Sequence, residues 1–294
     1  MFVQAIEDVS LFTSPLHTIE RSYGSNSVRP GAATMFFVNE EGVAITCNHV
    51  AGIIPFSNDL SKRFQEFKKR REELNKSGNF NKKVKELVHQ FGFDTNPTCE
   101  LLVRFNCVEA FEGVEVIPHP KYDLAIIRLI KPRNLNYRSF AKFLPSGSEI
   151  KQGKYLCRLG FPFPEFQNYT YNATSDAIQW TPHGLNATPR FPIEGMVTRH
   201  VADENGIFGI EMSTPGLRGQ SGGPLFDDKG VVYGMQYATN HLHLGFDMRN
   251  QEVMANGEKI KINHHQPFLH VGLCIHAEVI KNFLREKGIK FYEA

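Results

Sequence analysis

Several features that would mark other protein classes are scarce or missing. The 294 residues include five cysteines (Cys47, Cys99, Cys107, Cys157 and Cys274), an odd number with no C-x-x-C spacing. That argues against a disulfide framework and favours a reducing, cytoplasmic setting. No apolar run approaches the ~20 residues needed to cross a bilayer, so no membrane role is expected. The first residues carry Glu7 and Asp8 without a basic head, unlike a secretion leader. Charge of one sign is also lacking: 33 basic residues face 31 acidic ones, so the whole molecule is no polyanion binder by charge alone. No repeat of fixed period is visible, which speaks against a propeller or solenoid.

What is present is a core. The chain is 41% apolar and has 24 Phe against a single Trp, which excludes global disorder. Short Val/Ile/Phe/Leu-rich runs bounded by turn residues predict strands at Ala32–Val38, Val43–Cys47, Cys99–Phe105, Val108–Val116 and Leu124–Ile130. The second half adds Tyr155–Leu159, Met196–His200, Gly209–Met212, Val231–Tyr237 and Phe268–Ile275. Many strands without alternating helices point to a barrel or sandwich. Residues 57–91 instead read as helical, with Leu60, Phe64, Phe67 and Leu74 at helical spacing, a Ser77-Gly78 stop, then Val84, Leu87, Val88 and Phe91. Residues 161–192 form a Pro/Asn/aromatic segment without periodicity, and Ala277–Lys287 reads as a terminal helix.

Three local patterns carry chemistry. Gly219-Gln220-Ser221-Gly222-Gly223-Pro224-Leu225 surrounds a serine with backbone freed from β-carbon restraint. Such a turn can aim successive N–H groups at one point, as an oxyanion hole requires. Serine needs a base, and His49 closes the apolar strand Ile45-Thr46-Cys47. Asp123 stands immediately before a buried-type strand. Each alone has a bland reading: a glycine-rich hairpin, a strand-end histidine, a turn aspartate. Together they run His, Asp, Ser along the chain, the order of one known triad class. Gly219-x-Ser221-x-Gly223 also satisfies the nucleophile elbow of α/β-hydrolases. That fold needs a helix after the serine and the order Ser, Asp, His, and Gly222-Gly223-Pro224 breaks any helix.

On these residues the chain resembles the chymotrypsin-fold, trypsin-like serine peptidases, closest in style to their bacterial branch. The likeness rests on Gly42–Val50, Asp123–Leu129, Leu159-Gly160-Phe161-Pro162, Glu194–Thr198, Gly219–Tyr237 and Val271–Ile275. It implies an all-β fold with helical insertions, built as two antiparallel six-stranded barrels and a C-terminal helix. The single domain would place the first barrel at 28–140 with its helical insertion at 57–91. The second would occupy 141–276 with a loop insertion at 161–192, and the helix 277–288. It also implies His49 as base, Asp123 as its orienting carboxylate and Ser221 as nucleophile, with the Gly219 and Ser221 N–H groups as oxyanion hole. The substrate would be a protein or peptide, with no cofactor. The alternative is a latent or inactive peptidase-fold module that binds peptide without cutting.

Departures from the family pattern set further expectations. Gln220 stands where many secreted members carry an aspartate that pairs with a freshly cut N-terminus, so activation by such cleavage is not expected. Pro215 stands where trypsin-like specificity requires a carboxylate, so cleavage after Arg or Lys is not expected. By resemblance and strand alternation, Gln236, Ala238, Gly272 and Cys274 line a small, moderately polar pocket with His270 near its rim. A role for His270 in favouring acidic substrates is the weaker alternative. His241, His243, His264 and His265 could ligate a metal, but they lack a recognised zinc spacing, and no metal is expected. The ten Lys/Arg of residues 60–90 against four Glu could dock a regulatory partner, with nucleic acid less favoured than a solvated face. Residues 161–192 are expected to border the cleft and gate it.

Overall fold

Every run of branched and aromatic residues named above becomes a strand, with ends shifted by local turns. The computed structural model describes residues 2–74, 79–243, 250, 252–255, 257–261 and 268–294. Its first half holds α1 (Val3–Ser10), β1 (Thr13–Ser22), β2 (Val28–Phe37), β3 (Val43–Thr46), α2 (Asn48–Ala51), α3 (Ile53–Leu74) and α4 (Phe80–Gln90). There follow β4 (Thr98–Phe105), β5 (Val108–Ala110), β6 (Gly113–Pro118), β7 (Ala125–Ile130) and β8 (Arg133–Leu135). The second half holds β9 (Lys142–Phe143), β10 (Tyr155–Gly160), β11 (Tyr169–Asn172), β12 (Ala177–Trp180), β13 (Phe191–Asp203), β14 (Gly206–Met212) and β15 (Pro224–Phe226). It ends with β16 (Val232–His243), β17 (Glu252–Ala255), β18 (Glu258–Lys261), β19 (Phe268–His276), α5 (Ala277–Glu286) and β20 (Tyr292–Glu293).

The protein is mostly β-strand, and its two sheets close differently. In the second half β15 pairs with both β10 and β16, which turns β15-β10-β13-β14-β19-β16 into a six-stranded ring. The short β9 and β20 extend that sheet in parallel, so it is not wholly antiparallel as expected. The first sheet, β4-β1-β2-β3-β7-β6, curls but stays open: its edges β4 and β6 do not pair among the described residues. Two closed barrels were expected; here side chains rather than ladder bonds cover the edge at β4. The α3–α4 pair seats Phe64, Phe67, Leu87 and Phe91 with Cys99 of β4 in one apolar cluster.

Other differences are local. Val108–Val116 is two strands, and α3 begins at Ile53 rather than 57. The Ser77-Gly78 stop lies outside the described residues. The 161–192 segment is no bare loop: β11 and β12 pair as a hairpin within it, and β13 begins at Phe191. Neither α1 nor β1 was anticipated, because β1 interleaves His17, Thr18, Glu20 and Arg21 with its apolar residues. One continuous core joins the halves, from Phe36, Ile45 and Ile126 through Leu159, Phe226 and Met235 to Ile275 and Phe283. Each such fully buried side chain contributes about 1.5–3 kcal/mol. The seam between the sheets is therefore well packed, and the candidate site lies on it.

Candidate active site at the junction of the two sheets

β3 delivers His49. The strand is fully buried up to Thr46, then the chain turns at Cys47 into the single turn α2 and leaves His49 exposed at its start. Asp123, just before β7, grips this histidine twice. Its Oδ2 lies 2.6 Å from His49 Nδ1, and its Oδ1 accepts the His49 backbone N–H at 3.0 Å. The pairing of β3 with β7 sets that reach, since Thr46 stands opposite Ala125. Burial would raise the Asp123 carboxyl, but the side-chain and backbone bonds from His49 outweigh it and hold the group below the usual carboxylate range. An ionised Asp123 fixes the proton on Nδ1 and leaves Nε2 as the basic nitrogen.

The serine loop docks onto the first sheet. Thr34 of β2 donates its backbone N–H to Ser221 O at 3.1 Å and its hydroxyl to Gly219 O at 2.7 Å. Gly222 donates to Gln236 O at 2.8 Å, and the same oxygen accepts from Cys47 Sγ at 3.3 Å. A β-carbon at Gly222, where φ is +88°, would stand 2.0 Å from Thr34 O and 2.2 Å from Thr46 Oγ1. Only glycine fits there, and Ser221 is thereby held against the strand end that leads to His49. The last link is not closed: the Ser221 hydroxyl makes no hydrogen bond to His49 among the described residues.

The turn before Ser221 presents donors. Gln220 N–H bonds Leu217 O at 3.0 Å while Gly219 holds φ at +97°, the arrangement of a type II turn. Neither the Gly219 nor the Ser221 N–H has a protein acceptor among the described residues. Gln220 is wholly buried, accepting from Leu217 N–H at 3.0 Å and donating to Phe191 O at 2.9 Å. Its neutral amide thus braces the turn from within, where an aspartate would need a counter-charge.

The expected pocket is filled by the protein's own side chains. Gln236 is buried, and its Nε2 lies 2.4 Å from where a β-carbon of Gly216 would be. Thr239 Oγ1 accepts from Gly216 N–H at 3.0 Å and donates to Gly216 O at 2.9 Å, tying the two walls together. Below lies a residue the sequence reading missed, the fully buried Arg158 of β10. It donates to Gln236 Oε1 at 2.6 Å, to Thr214 O at 2.9 Å and to the carbonyl of Pro215 at 3.2 Å. Gly272 leaves room for it, since a β-carbon there would meet Arg158 Nη1 at 2.1 Å. Cys274 Sγ lies 3.5 Å from Gln236 Oε1, and the Ala238 carbonyl accepts from Gln236 Nε2 at 2.5 Å. So Pro215, Gln236, Ala238, Gly272 and Cys274 do converge, around a guanidinium instead of open space. A lone arginine inside the apolar run Leu156-Cys157-Arg158-Leu159 was the available signal. His270 is exposed beyond them, its Nδ1 2.6 Å from His241 Nδ1.

Other candidates resolve more simply. Cys47 Sγ, His49 and Asp123 place possible ligand atoms within 4.8 Å of one another. Burial, with the Asp123 charge adding to it, pushes the Cys47 thiol well up, and a protonated thiol is a poor metal ligand. His264 and His265 lie outside the described residues. Much of the basic surplus of α3 is engaged internally. Arg71 pairs with Asp176 at 3.2 Å, Lys68 bonds the carbonyls of Ser175 and Asp176, and Arg70 pairs with Glu66.

Among known families, the model of the trypsin-like peptidase domain matches residues 33–235, more than half of the chain. The matched span contains His49, Asp123, Ser221 and the strands that carry them. No curated protein matches the chain.

Proposed function

We propose that this chain, which belongs to the trypsin-like peptidase family, is a serine endopeptidase cleaving protein or peptide substrates through an acyl-enzyme. The observation that carries the reading is the two-point grip of Asp123 on His49 beside a serine loop whose Gly219 and Ser221 N–H groups are unspent. In this mechanism His49 Nε2 takes the Ser221 proton as Oγ attacks the scissile carbonyl, and Asp123 stabilises the imidazolium. The two N–H groups receive the oxyanion. The imidazolium then protonates the leaving amine, and water attacks the acyl-enzyme with His49 again as base. The open contact between Ser221 and His49 is compatible with this mechanism, because catalytic hydrogen bonds often tighten only around substrate. Five buried thiols, none of them in a disulfide, support a reducing, cytoplasmic location.

A second reading, a peptidase-fold module that grips peptide without cutting, draws on that open contact and on the filled pocket. Labelling with a fluorophosphonate probe separates the two. The expected result is covalent labelling of the wild type that Ser221→Ala abolishes and His49→Ala lowers by several orders of magnitude. A folded wild-type protein that takes up no probe rejects the peptidase.

A further inference from the structure

Three cations are buried among the described residues, and two of them have carboxylates. Arg21 pairs with Glu100 at 2.5 Å and Asp176 at 3.0 Å, and Lys281 pairs with Glu278 at 2.6 Å and Glu293 at 2.8 Å. Arg158 is the exception. It is 0% exposed, its partners are neutral oxygens of Gln236, Thr214 and Pro215, and its Nε has no partner. The adjoining thiols of Cys157 and Cys274 are pushed up by burial to about 12, so neither supplies a counter-charge. An unpaired buried guanidinium is costly, and a fold keeps one more readily where a ligand brings the missing anion.

Its position says which ligand. The guanidinium sits between the carbonyls of Thr214 and Pro215, seven and six residues before Ser221, and the small Gly272 of the facing strand. A substrate whose reacting carbonyl lies at Ser221 would direct the side chain before the cut bond into this space. The Gln236 carboxamide oxygen, 2.6 Å from Nη1, occupies the place a carboxylate oxygen would take. We propose that Arg158 is the specificity-determining residue of this cleft and selects glutamate or aspartate at the residue preceding the scissile bond. Gln236 then swings aside, and the substrate carboxylate replaces its amide oxygen on the guanidinium. A charge-assisted contact is stronger than the neutral one it displaces, and the planar fork of arginine suits a carboxylate. The inference transfers to Arg158 the anion recognition that sequence alone suggested for His270, and it rests on the peptidase-type cleft proposed above.

The test is binding to the Ser221→Ala protein of peptides identical except for a C-terminal Glu, Gln, Leu or Arg, read by fluorescence polarisation. The expected result is about tenfold or tighter binding of the Glu peptide than of the Gln peptide. Arg158→Met, added to Ser221→Ala, removes that preference. Because this variant removes several wall contacts, Gln236→Glu provides an independent check. It sets a carboxylate of nearly the same shape against Arg158, and the expected result is a higher Tm with loss of the Glu preference. Equal affinity for Glu and Gln, tighter binding of Leu or Arg, or no binding of any peptide overturns the proposal. Fluorophosphonate labelling of the wild type is measured alongside. Labelling without a Glu preference sinks the specificity alone, whereas a Glu preference without labelling sinks the cleavage alone.

Discussion

Gly219 holds φ at +97°, and a β-carbon on it would lie 2.8 Å from Phe161 O and 2.8 Å from Pro162 Cα. Both neighbours are backbone, so neither can yield cheaply. Gly219→Ala is expected to displace its own N–H and lower the rate of cleavage or labelling by about 10²–10³, the loss seen when one oxyanion donor is removed. Gly206→Ala is the control. Its φ of +102° strains an alanine equally, but nothing lies within 4 Å. That variant is expected to lose about 1–3 kcal/mol of stability and keep its labelling rate. Denaturant unfolding and probe kinetics on both proteins separate strain from function. Equal labelling by the two variants would remove Gly219 from the oxyanion hole. At this scale much was legible: His49, Asp123, Ser221 and Gly219 stand in patterns whose chemistry is local. Arg158 was not, because what matters is the absence of a carboxylate around it, and a sequence does not list neighbours.

Among the elements, the β11–β12 hairpin is a clamp. Phe166 and Ile178 pack on Ile19 of β1. Asp176 in its turn binds Arg21 of β1 at 3.0 Å and Arg71 of α3 at 3.2 Å, while Glu100 of β4 joins the same network through Arg21. The two ends of the 161–192 segment reach the serine loop: Phe161 and Pro162 against Gly219, and Phe191 O on Gln220. Arg21→Met strands the buried Glu100 and is expected to cost about 3–5 kcal/mol. It should also open residues 161–192 to limited proteolysis. Fluorophosphonate labelling below the unfolding temperature is expected to stay unchanged, because the hairpin's anchors lie on β1, β4 and α3 rather than at Ser221. A change in labelling would support the gating role expected from the sequence. The segment's hairpin escaped a periodicity reading because β11 and β12 are four residues each, too short to show alternation against their Pro/Asn surroundings.

At the scale of the whole molecule, two histidines among the described residues are buried neutral. His17 is pushed down to about 4 by burial, with Arg104 adding to it, and its ring lies between Asn106 Nδ2 at 2.9 Å and Thr188 Oγ1 at 2.7 Å. His276 is likewise lowered to about 4 by burial, and its Nδ1 caps α5 by accepting from Glu278 N–H at 3.0 Å. Unfolded, each titrates near 6.5, so between about 6.5 and 4 the unfolded chain binds more protons. Stability from this source is complete above 6.5 and is lost as pH falls, at up to about 1.4 kcal/mol per pH unit for each histidine. Urea unfolding between pH 7 and 4.5 is expected to show that slope, and His276→Asn, which keeps a capping acceptor, to reduce it by one histidine's share. An unchanged slope in that variant would mean His276 titrates normally. The sequence by itself determined the strand content, the glycines that admit the serine loop and the order of the three chemical groups, because these depend on short-range sterics and composition. The tertiary structure alone decided that the first sheet stays open, that Gln236 fills the pocket and that Arg158 beneath it lacks an anion. Closure, filling and charge balance depend on which distant residues meet in space.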